Sequence, residues 1–134
     1  SDAAVESAVE RPVPEPVPAI EDPVDVPLIR LAWARSGDKG DKANVGIIPR
    51  QKAYAPYIWA ALDEATVEKR FAHFLNGRVE RFYLPGTGAI NYLLHDVLGG
   101  GGVASLRNDP QGKGYSQILL QVPIPVPRAL AERA

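Results

Sequence analysis

The sequence predicts a small α+β fold in which one mainly antiparallel sheet carries helices on one face. Several short segments alternate apolar and polar residues, as strands do, whereas residues 54–62 are apolar at helical spacing. The predicted strands are not regularly separated by helices, as a doubly wound parallel sheet would require. The chain has 134 residues, which is the usual size of one domain.

The beginning of the chain differs in composition from the rest. Prolines recur from Pro12 to Pro27 between Val, Glu, Ile and Asp. Each proline fixes its own φ, removes a hydrogen-bond donor and favours extended geometry in the residue before it. We therefore expect residues 1–27 to form a proline-rich extended arm. The alternatives are a disordered tail and a segment that orders against a partner through Val13, Val17 and Ile20.

The rest of the chain is predicted to be one domain, residues 28–127, followed by a short polar tail, residues 128–134. Without the arm, about 105 residues remain, which is enough to bury a single modest core. A second proline-rich run, Val122–Pro127, is predicted to close the domain.

The domain is predicted to begin with two strands. Leu28–Arg35 alternates in character, which places Leu31 and Trp33 on the same side of a strand. Asn44–Ile48 predicts a second, shorter strand, and Ser36–Ala43 would be the loop between the two.

Two helices are predicted next. The apolar stripe of residues 54–62 indicates a helix with one buried face. Asp63 or Thr66 would cap a second helix, and Asn76 with Gly77 would supply its left-handed exit.

The second half of the domain is predicted to return to strands. Val79–Leu84 reads as a third strand, and a third helix would then run from a cap at Thr87 to Gly99. Tyr115–Val122 is expected to be the last strand, with Val103–Arg107 as one more candidate strand. One sheet with helices on one face is the most economical packing of this order, which is a ferredoxin-like two-layer sandwich.

The composition argues against several classes of function. The chain carries 15 basic and 16 acidic residues that are well mixed, so we expect neither a nucleic-acid surface nor a membrane surface. It has no cysteine, which excludes disulfides, thiolate metal ligands and a thiol nucleophile. The two histidines are isolated, so no metal site is expected. No apolar run approaches membrane-spanning length and no secretory leader is visible, which predicts a cytoplasmic protein.

The first candidate site is the segment between the first two predicted strands. Its two glycines would let backbone amides converge on an anion, and its lysines would favour a phosphate or a carboxylate. Asp38 and Asp41 are the acid–base candidates. The alternative is a solvated hairpin loop, but its predicted length favours a function. The predicted substrate-binding and anion-binding residues of this segment are Ser36, Gly37, Lys39, Gly40 and Asn44.

The second candidate site surrounds a run of four glycines. Such a run has a large conformational entropy cost, and it suits close approach of the backbone to a ligand or a partner chain. Asn91 and His95 lie four residues apart, so they would share one face of the predicted third helix. Alternatively, His95 would only stabilise the helix end. The predicted binding residues are Asn91, Gly99, Gly100, Gly101, Ser105 and Arg107.

Two motifs resemble those of a known family. Ala34–Asp41, followed by Asn44–Gly46, resembles the Ala-Arg-Ser-Gly-Asp-Lys-Gly-Asp signature of the ferredoxin-fold module of the acyclic-terpene-utilisation protein A (AtuA) family. The second signature of that module is matched in order by Leu94-His95, Leu98–Gly101 and Ser105–Arg107. The resemblance covers about residues 28–122.

The resemblance carries expectations about function. In that family the module either ends a larger AtuA-type chain or stands as a separate small protein beside one, in bacterial catabolism of terpenoid and other branched acyl-CoA compounds. It implies a small subunit of an AtuA-type complex, with a CoA thioester or carboxylated acyl group as substrate, no resident cofactor and lyase- or hydratase-type chemistry. Asp38, Asp41 and His95 would be catalytic. The alternatives are a non-catalytic assembly module, self-association, and a free-standing small hydratase or hydrolase.

Overall fold

The computed structural model describes residues 10–98 and 113–134, except for the side chains of Lys39 and Lys113. This part of the chain forms two antiparallel sheets and four α-helices, which confirms the α+β prediction. The strands are β1 (Val24–Pro27), β2 (Ala32–Lys39), β3 (Lys42–Pro49), β4 (Val79–Leu84), β5 (Ala89–Leu94) and β6 (Pro123–Val126). The helices are α1 (Ala55–Ala61), α2 (Glu64–Arg70), α3 (Lys113–Leu120) and α4 (Arg128–Arg133).

The main sheet has four strands in the order β2-β3-β5-β4, all antiparallel to their neighbours. Helices α1 and α2 connect β3 to β4, and β5 lies between these two strands, which is the split β-α-β connection of ferredoxin-like folds. The order strand-strand-helix-strand-strand-helix is the ferredoxin-like order shifted cyclically, with α1 and α2 sharing the first helical position.

One face of the main sheet is covered by the helices. Helix α1 contacts β5, α2 contacts β4 and α3 contacts β2. Alternate residues of β3 and β5 are buried on this face, as expected from the two-residue period of a strand. Tyr92 is fully buried there, and its hydroxyl donates to the Leu62 carbonyl oxygen at 2.7 Å.

The opposite face of the sheet is called the open face below. Its side chains are exposed or half-buried throughout. By register, it comprises Trp33, Arg35, Gly37, Lys42, Asn44, Gly46, Ile48, Glu80, Phe82, Leu84, Ala89, Asn91 and Leu93.

The predicted first strand is wrong in its beginning and in its orientation. Leu28–Arg30 is a 3-10 turn, and β2 starts only at Ala32. Because residues three apart lie on one side of a 3-10 turn, Leu28 and Leu31 are both buried. The inward–outward alternation of β2 starts at Ala32, so Ala32 is buried, and Trp33, which was predicted to lie on the same side as Leu31, is exposed.

The predicted long loop Ser36–Ala43 is also wrong. Strands β2 and β3 continue to Lys39 and Lys42, which are register partners, so only a two-residue turn separates them. Gly40 in this turn has φ of 65°, which explains why glycine is suited to that position. The strand ends are polar because they project beyond the core, so apolar alternation does not reveal them.

The predicted helix from Thr87 to Gly99 is wrong, because residues Ala89–Leu94 form strand β5. Ile90, Tyr92 and Leu94 are buried at a spacing of two residues. The tight turn between β4 and β5 contains Gly88 at φ of 77°.

The predicted strand Tyr115–Val122 is wrong as well. Lys113–Leu120 is helix α3, which buries Tyr115, Ser116 and Leu119 against the sheet at helical spacing. The candidate strand Val103–Arg107 lies outside the described residues.

Other predicted elements are present. Helices form at the two expected places as α1 and α2, and Val79–Leu84 is a strand with the predicted bounds. Asp63 caps α2, with Oδ1 accepting from the Thr66 amide at 2.8 Å. The predicted left-handed exit at Gly77 is wrong: its φ is not positive, and a Cβ there would lie 2.5 Å from the His95 carbonyl oxygen.

The end of the predicted arm joins a small second sheet. Val24–Pro27 pairs in antiparallel fashion with Pro123–Val126, and Val26 is buried. Earlier in the arm, Val17 and Ile20 line a concavity together with residues of α1 and β6. Residues 10–27 therefore lie against the body of the same chain.

Candidate functional site

The two signature segments meet at one end of the main sheet. Ala43 and Leu94 are register partners on β3 and β5. The Val97 amide donates to the Asp41 carbonyl oxygen at 2.6 Å, which ties the chain after β5 to the β2–β3 turn. The Leu98 amide then donates to the Phe74 carbonyl oxygen at 2.9 Å. Backbone hydrogen bonds thus hold both segments in place.

A concavity of about 440 Å³, lined by both polar and apolar groups, lies at this end of the sheet. The Asn44 Nδ2 donates to the Asn91 Oδ1 at 3.2 Å, so the two amides form a pair across β3 and β5. A Cβ on Gly37 would lie 3.3 Å from the Asn44 Oδ1, so the glycine leaves room for this amide. The residues that line the concavity are Gly37, Asp38, Lys42, Ala43, Asn44, Asn91 and Leu93.

The predicted residues of the first segment separate into two groups. Gly37, Asp38 and Asn44 line the concavity. Ser36 instead lies on the helix-covered face, where the buried Ser116 hydroxyl donates to its Oγ at 3.0 Å. Gly40 and Asp41 form the turn, and the side chain of Lys39 is not described. Asp41 contributes its backbone carbonyl oxygen, which accepts a hydrogen bond from the Val97 amide.

His95 follows β5 and faces a carboxylate rather than the concavity. Its Nε2 lies 2.8 Å from the Glu80 Oε1. Glu80 also forms ion pairs with Arg11 at 3.2 Å and Arg78 at 3.4 Å. The hydrogen bond with His95 and then that with Arg11 hold the pKa of Glu80 below its usual value. Glu80 thereby fixes the orientation of the imidazole and links it to the arm.

Asn91 and His95 share one side of the chain, but not because of helical spacing. They lie on β5 and directly after it, where positions an even number of residues apart point the same way. The prediction therefore grouped them correctly for a wrong reason. The remaining predicted residues, Gly99, Gly100, Gly101, Ser105 and Arg107, lie outside the described part of the chain.

Lys42, one of the two lysines expected to favour an anion, does line the concavity. The sequence did not reveal Glu80 as the partner of His95. No local pattern could identify Glu80, because its contact with His95 depends on the pairing of β4 with β5.

A second polar cluster connects α1 and α2 to β4 and has a structural role. The Arg81 Nε lies 2.9 Å from the Glu64 Oε1, and its guanidinium stacks on the Trp59 ring at 3.5 Å. Arg81 also donates to the Trp59 carbonyl oxygen. Burial raises the pKa of the neighbouring Tyr92, so that residue stays a neutral hydrogen-bond donor.

Neither a metal-binding cluster nor a membrane-spanning helix occurs among the residues that the structure describes. Residues 10–98 and 113–134 contain no group of three or more histidines and carboxylates placed to hold a metal ion. In the same ranges, no helix has the length and the apolar character that crossing a bilayer requires.

Comparison with known proteins agrees with the two signatures and with the topology. The chain matches the model of the AtuA ferredoxin-like domain over residues 26–125, which is most of its length. No curated protein and no solved structure matches it. Because the chain has no cysteine, the word ferredoxin refers here to the fold and not to a thiolate-bound iron–sulfur cluster. The chain belongs to the AtuA ferredoxin-like domain family.

Proposed function

We propose that this chain is the small subunit of an AtuA-type enzyme complex. In this proposal, the end of the sheet where the two signature segments meet contributes to a site for an acyl-CoA or a carboxylated acyl intermediate. The observation that carries the proposal is the hydrogen bond from Val97 to Asp41, because it joins the two signature segments beside the concavity.

The described lining suits an anionic or carbonyl-bearing ligand. Lys42 is exposed there and supplies a cation for a carboxylate or a phosphate. The Asn44–Asn91 pair uses one donor and one acceptor internally, so each amide keeps hydrogen-bonding capacity for a ligand. These groups would orient a thioester carbonyl or a carboxylate.

Asp38 and His95 are the proposed acid–base groups. Asp38 is exposed and is one of the residues that line the concavity. His95 is held by Glu80, as a proton-transferring imidazole commonly is by a carboxylate. Asp41 is the alternative carboxylate, because it lies in the turn next to Lys42. Lyase and hydratase reactions of acyl thioesters need such a group to move a proton at the carbon chain.

The open form of the site supports a subunit role over independent catalysis. Asp38, Lys42 and Asn44 are all exposed to solvent in the isolated chain. Catalytic sites usually exclude water, which strengthens the electrostatic interactions within them. A larger partner that covers this end of the sheet would supply that exclusion.

The proposal is tested by turnover of the complex assembled with the large AtuA-type chain. Asp38→Asn and His95→Gln should leave assembly intact and lower the rate about 100-fold or more, which is the usual contribution of an acid–base group. Asp25→Asn and His73→Gln are the matched controls, because both residues are exposed and lie outside the concavity. Unchanged turnover in both site variants would refute the catalytic role.

A second candidate function is a non-catalytic assembly module. Trp33 and Leu84 favour it, because both are about half exposed on the open face. On this alternative, the Asp38 and His95 variants keep full turnover, and substitutions on the open face prevent association instead.

A further inference from the structure

Gly46 stands where the fold itself does not require a glycine. It lies inside β3, a central strand, on the open face between its register partners Arg35 and Asn91. Its φ is not positive. A Cβ added there would meet only the Arg35 carbonyl oxygen, at 3.9 Å, which is an ordinary contact.

An interior strand glycine without such a reason points to an external contact. Glycine destabilises a strand relative to β-branched residues, because it loses more conformational entropy and packs no side chain. It is found where a ligand or another backbone approaches closely. On the open face, Gly46 leaves the backbone of β3 accessible between two side chains.

Exposed apolar side chains occur on both edge strands of the open face, β2 and β4. Trp33 is 52% exposed and pairs by register with Ile48, and Leu84 is 49% exposed and pairs with Ala89. Large apolar side chains exposed at both edges of one sheet face favour a protein–protein contact that spans this face.

The charges of the open face select the kind of partner. Arg35 and Lys42 are exposed there, and Arg50 stacks over the Trp33 ring at 4.6 Å. Glu80 is the one acid among the described strand residues that the register places on this face, and it is already paired with three cationic or imidazole groups. Asp38 adds one exposed carboxylate at the concavity, so the cations remain in excess. A second copy of the chain would bring these cations against themselves, whereas an acidic surface would complement them.

We propose that the open face, centred on Gly46, docks an acidic protein surface of the large AtuA-type chain. The partner backbone lies against Gly46, its apolar side chains contact Trp33 and Leu84, and its carboxylates face Arg35 and Arg50. This inference rests on the proposed subunit role and adds the surface and the chemistry through which the two chains associate.

The test measures the affinity of the purified full chain for the purified large AtuA-type chain by calorimetry, at two salt concentrations. Gly46→Val should weaken binding at least tenfold, because the added side chain separates the two backbones. Its melting temperature should stay equal or rise, since valine suits an exposed strand position. Gly86→Ala is the control: a Cβ there meets no atom within 4 Å, so binding should be unchanged.

Arg35→Glu is a second variant, and its result does not depend on whether Gly46→Val disturbs the folding of the sheet. It should weaken binding about tenfold or more at low salt, with a smaller effect at high salt. If Gly46→Val melts at a lower temperature and Arg35→Glu binds normally, the glycine serves the fold and the docking proposal is overturned.

The remaining outcomes are distinguishable. Wild-type binding that neither variant weakens overturns this surface and leaves the subunit role standing. An absence of wild-type binding overturns the subunit role, and the docking proposal with it. The wild type could instead self-associate and lose this in Gly46→Val, or bind a single-stranded RNA probe and lose this in Trp33→Ala. Either result would assign the open face to a different occupant and overturn the proposal.

Discussion

The two faces of the main sheet differ in what accounts for their residues. On the helix-covered face, Ile47 and Tyr92 are fully buried, and packing explains their size and apolar character. On the open face, Trp33 is exposed, Asn44 pairs with Asn91 and Gly46 has no steric reason to be glycine. Packing within the chain accounts for the residues of the first face, but it does not account for a glycine at position 46 on the second face.

Two neighbouring isoleucines of β3 lie on opposite faces of the sheet. Ile47 is fully buried and Ile48 is half-buried on the open face, and both lie in β3. Ile47→Ala should lower the free energy of unfolding by about 2–5 kcal/mol, because it leaves a cavity. Ile48→Ala should cost less than about 1 kcal/mol, as partly exposed substitutions usually do. Chemical denaturation of both variants measures this, and equal losses would contradict the assignment of the faces.

Gly77 and Gly86 differ in the space that their surroundings leave for a side chain. A Cβ on Gly77 would lie 2.5 Å from the His95 carbonyl oxygen, so the backbone after β5 must shift. Gly77→Ala should therefore cost about 1–3 kcal/mol, the usual penalty for overpacking. Gly86→Ala introduces no close contact and serves as the control in the same thermal unfolding experiment. Equal melting temperatures for the two variants would show that the close packing of Gly77 against the His95 carbonyl oxygen does not limit stability.

The cap of α2 should have a smaller effect. Asp63 accepts from the Thr66 amide, and this hydrogen bond holds the pKa of Asp63 below its usual value. Asp63→Ala should cost about 1 kcal/mol at neutral pH. The difference in unfolding free energy between wild type and variant should shrink as pH falls through the lowered pKa, because the wild-type carboxylate then protonates and loses its charge. Denaturation at pH 7 and pH 3 measures this, and a loss independent of pH would refute the charged cap.

Glu80 should produce the smallest effect on stability, and one that depends on pH. Its pKa is lowered in the folded chain, so its contribution is present above the unfolded pKa and lost as pH falls through the folded value. As pH falls from about 5 to about 3, the free energy of unfolding of Glu80→Gln should decrease less than that of the wild type. Glu132→Gln, an exposed substitution on α4, should follow the wild-type curve. Parallel curves for wild type and Glu80→Gln would contradict the proposed interactions.

Sequence patterns identified the elements that local residue spacing and capping residues specify. The stripe beginning at Tyr54 gave α1, and Asp63 gave the start of α2. They failed for β5, because its apolar residues fit a helix as well as a strand, and pairing with β3 and β4 decides between them. They failed for α3 because Ile118, Leu120 and Val122 also alternate. Nonlocal packing overrides propensity in both cases.

The candidate site was only partly predictable from sequence. The signature segments identified Asp38, Asn44 and His95, but their spacing did not show that the segments meet. The hydrogen bond from Val97 to Asp41 and the pairing of His95 with Glu80 depend on sheet order. The significance of Gly46 appears only when its face and its neighbours are known.

Hydroxyl-radical footprinting of the chain, alone and bound to the large AtuA-type chain, tests the central claim most directly. Trp33, Leu84 and Leu98 are exposed on the open face or at the signature end, whereas Tyr57 is half-buried on α1, on the helix-covered side. We predict that binding lowers the reactivity of Trp33, Leu84 and Leu98 severalfold and leaves Tyr57 unchanged. Protection of Tyr57 with full reactivity at the other three residues would contradict this and would place the contact on the helix-covered side instead.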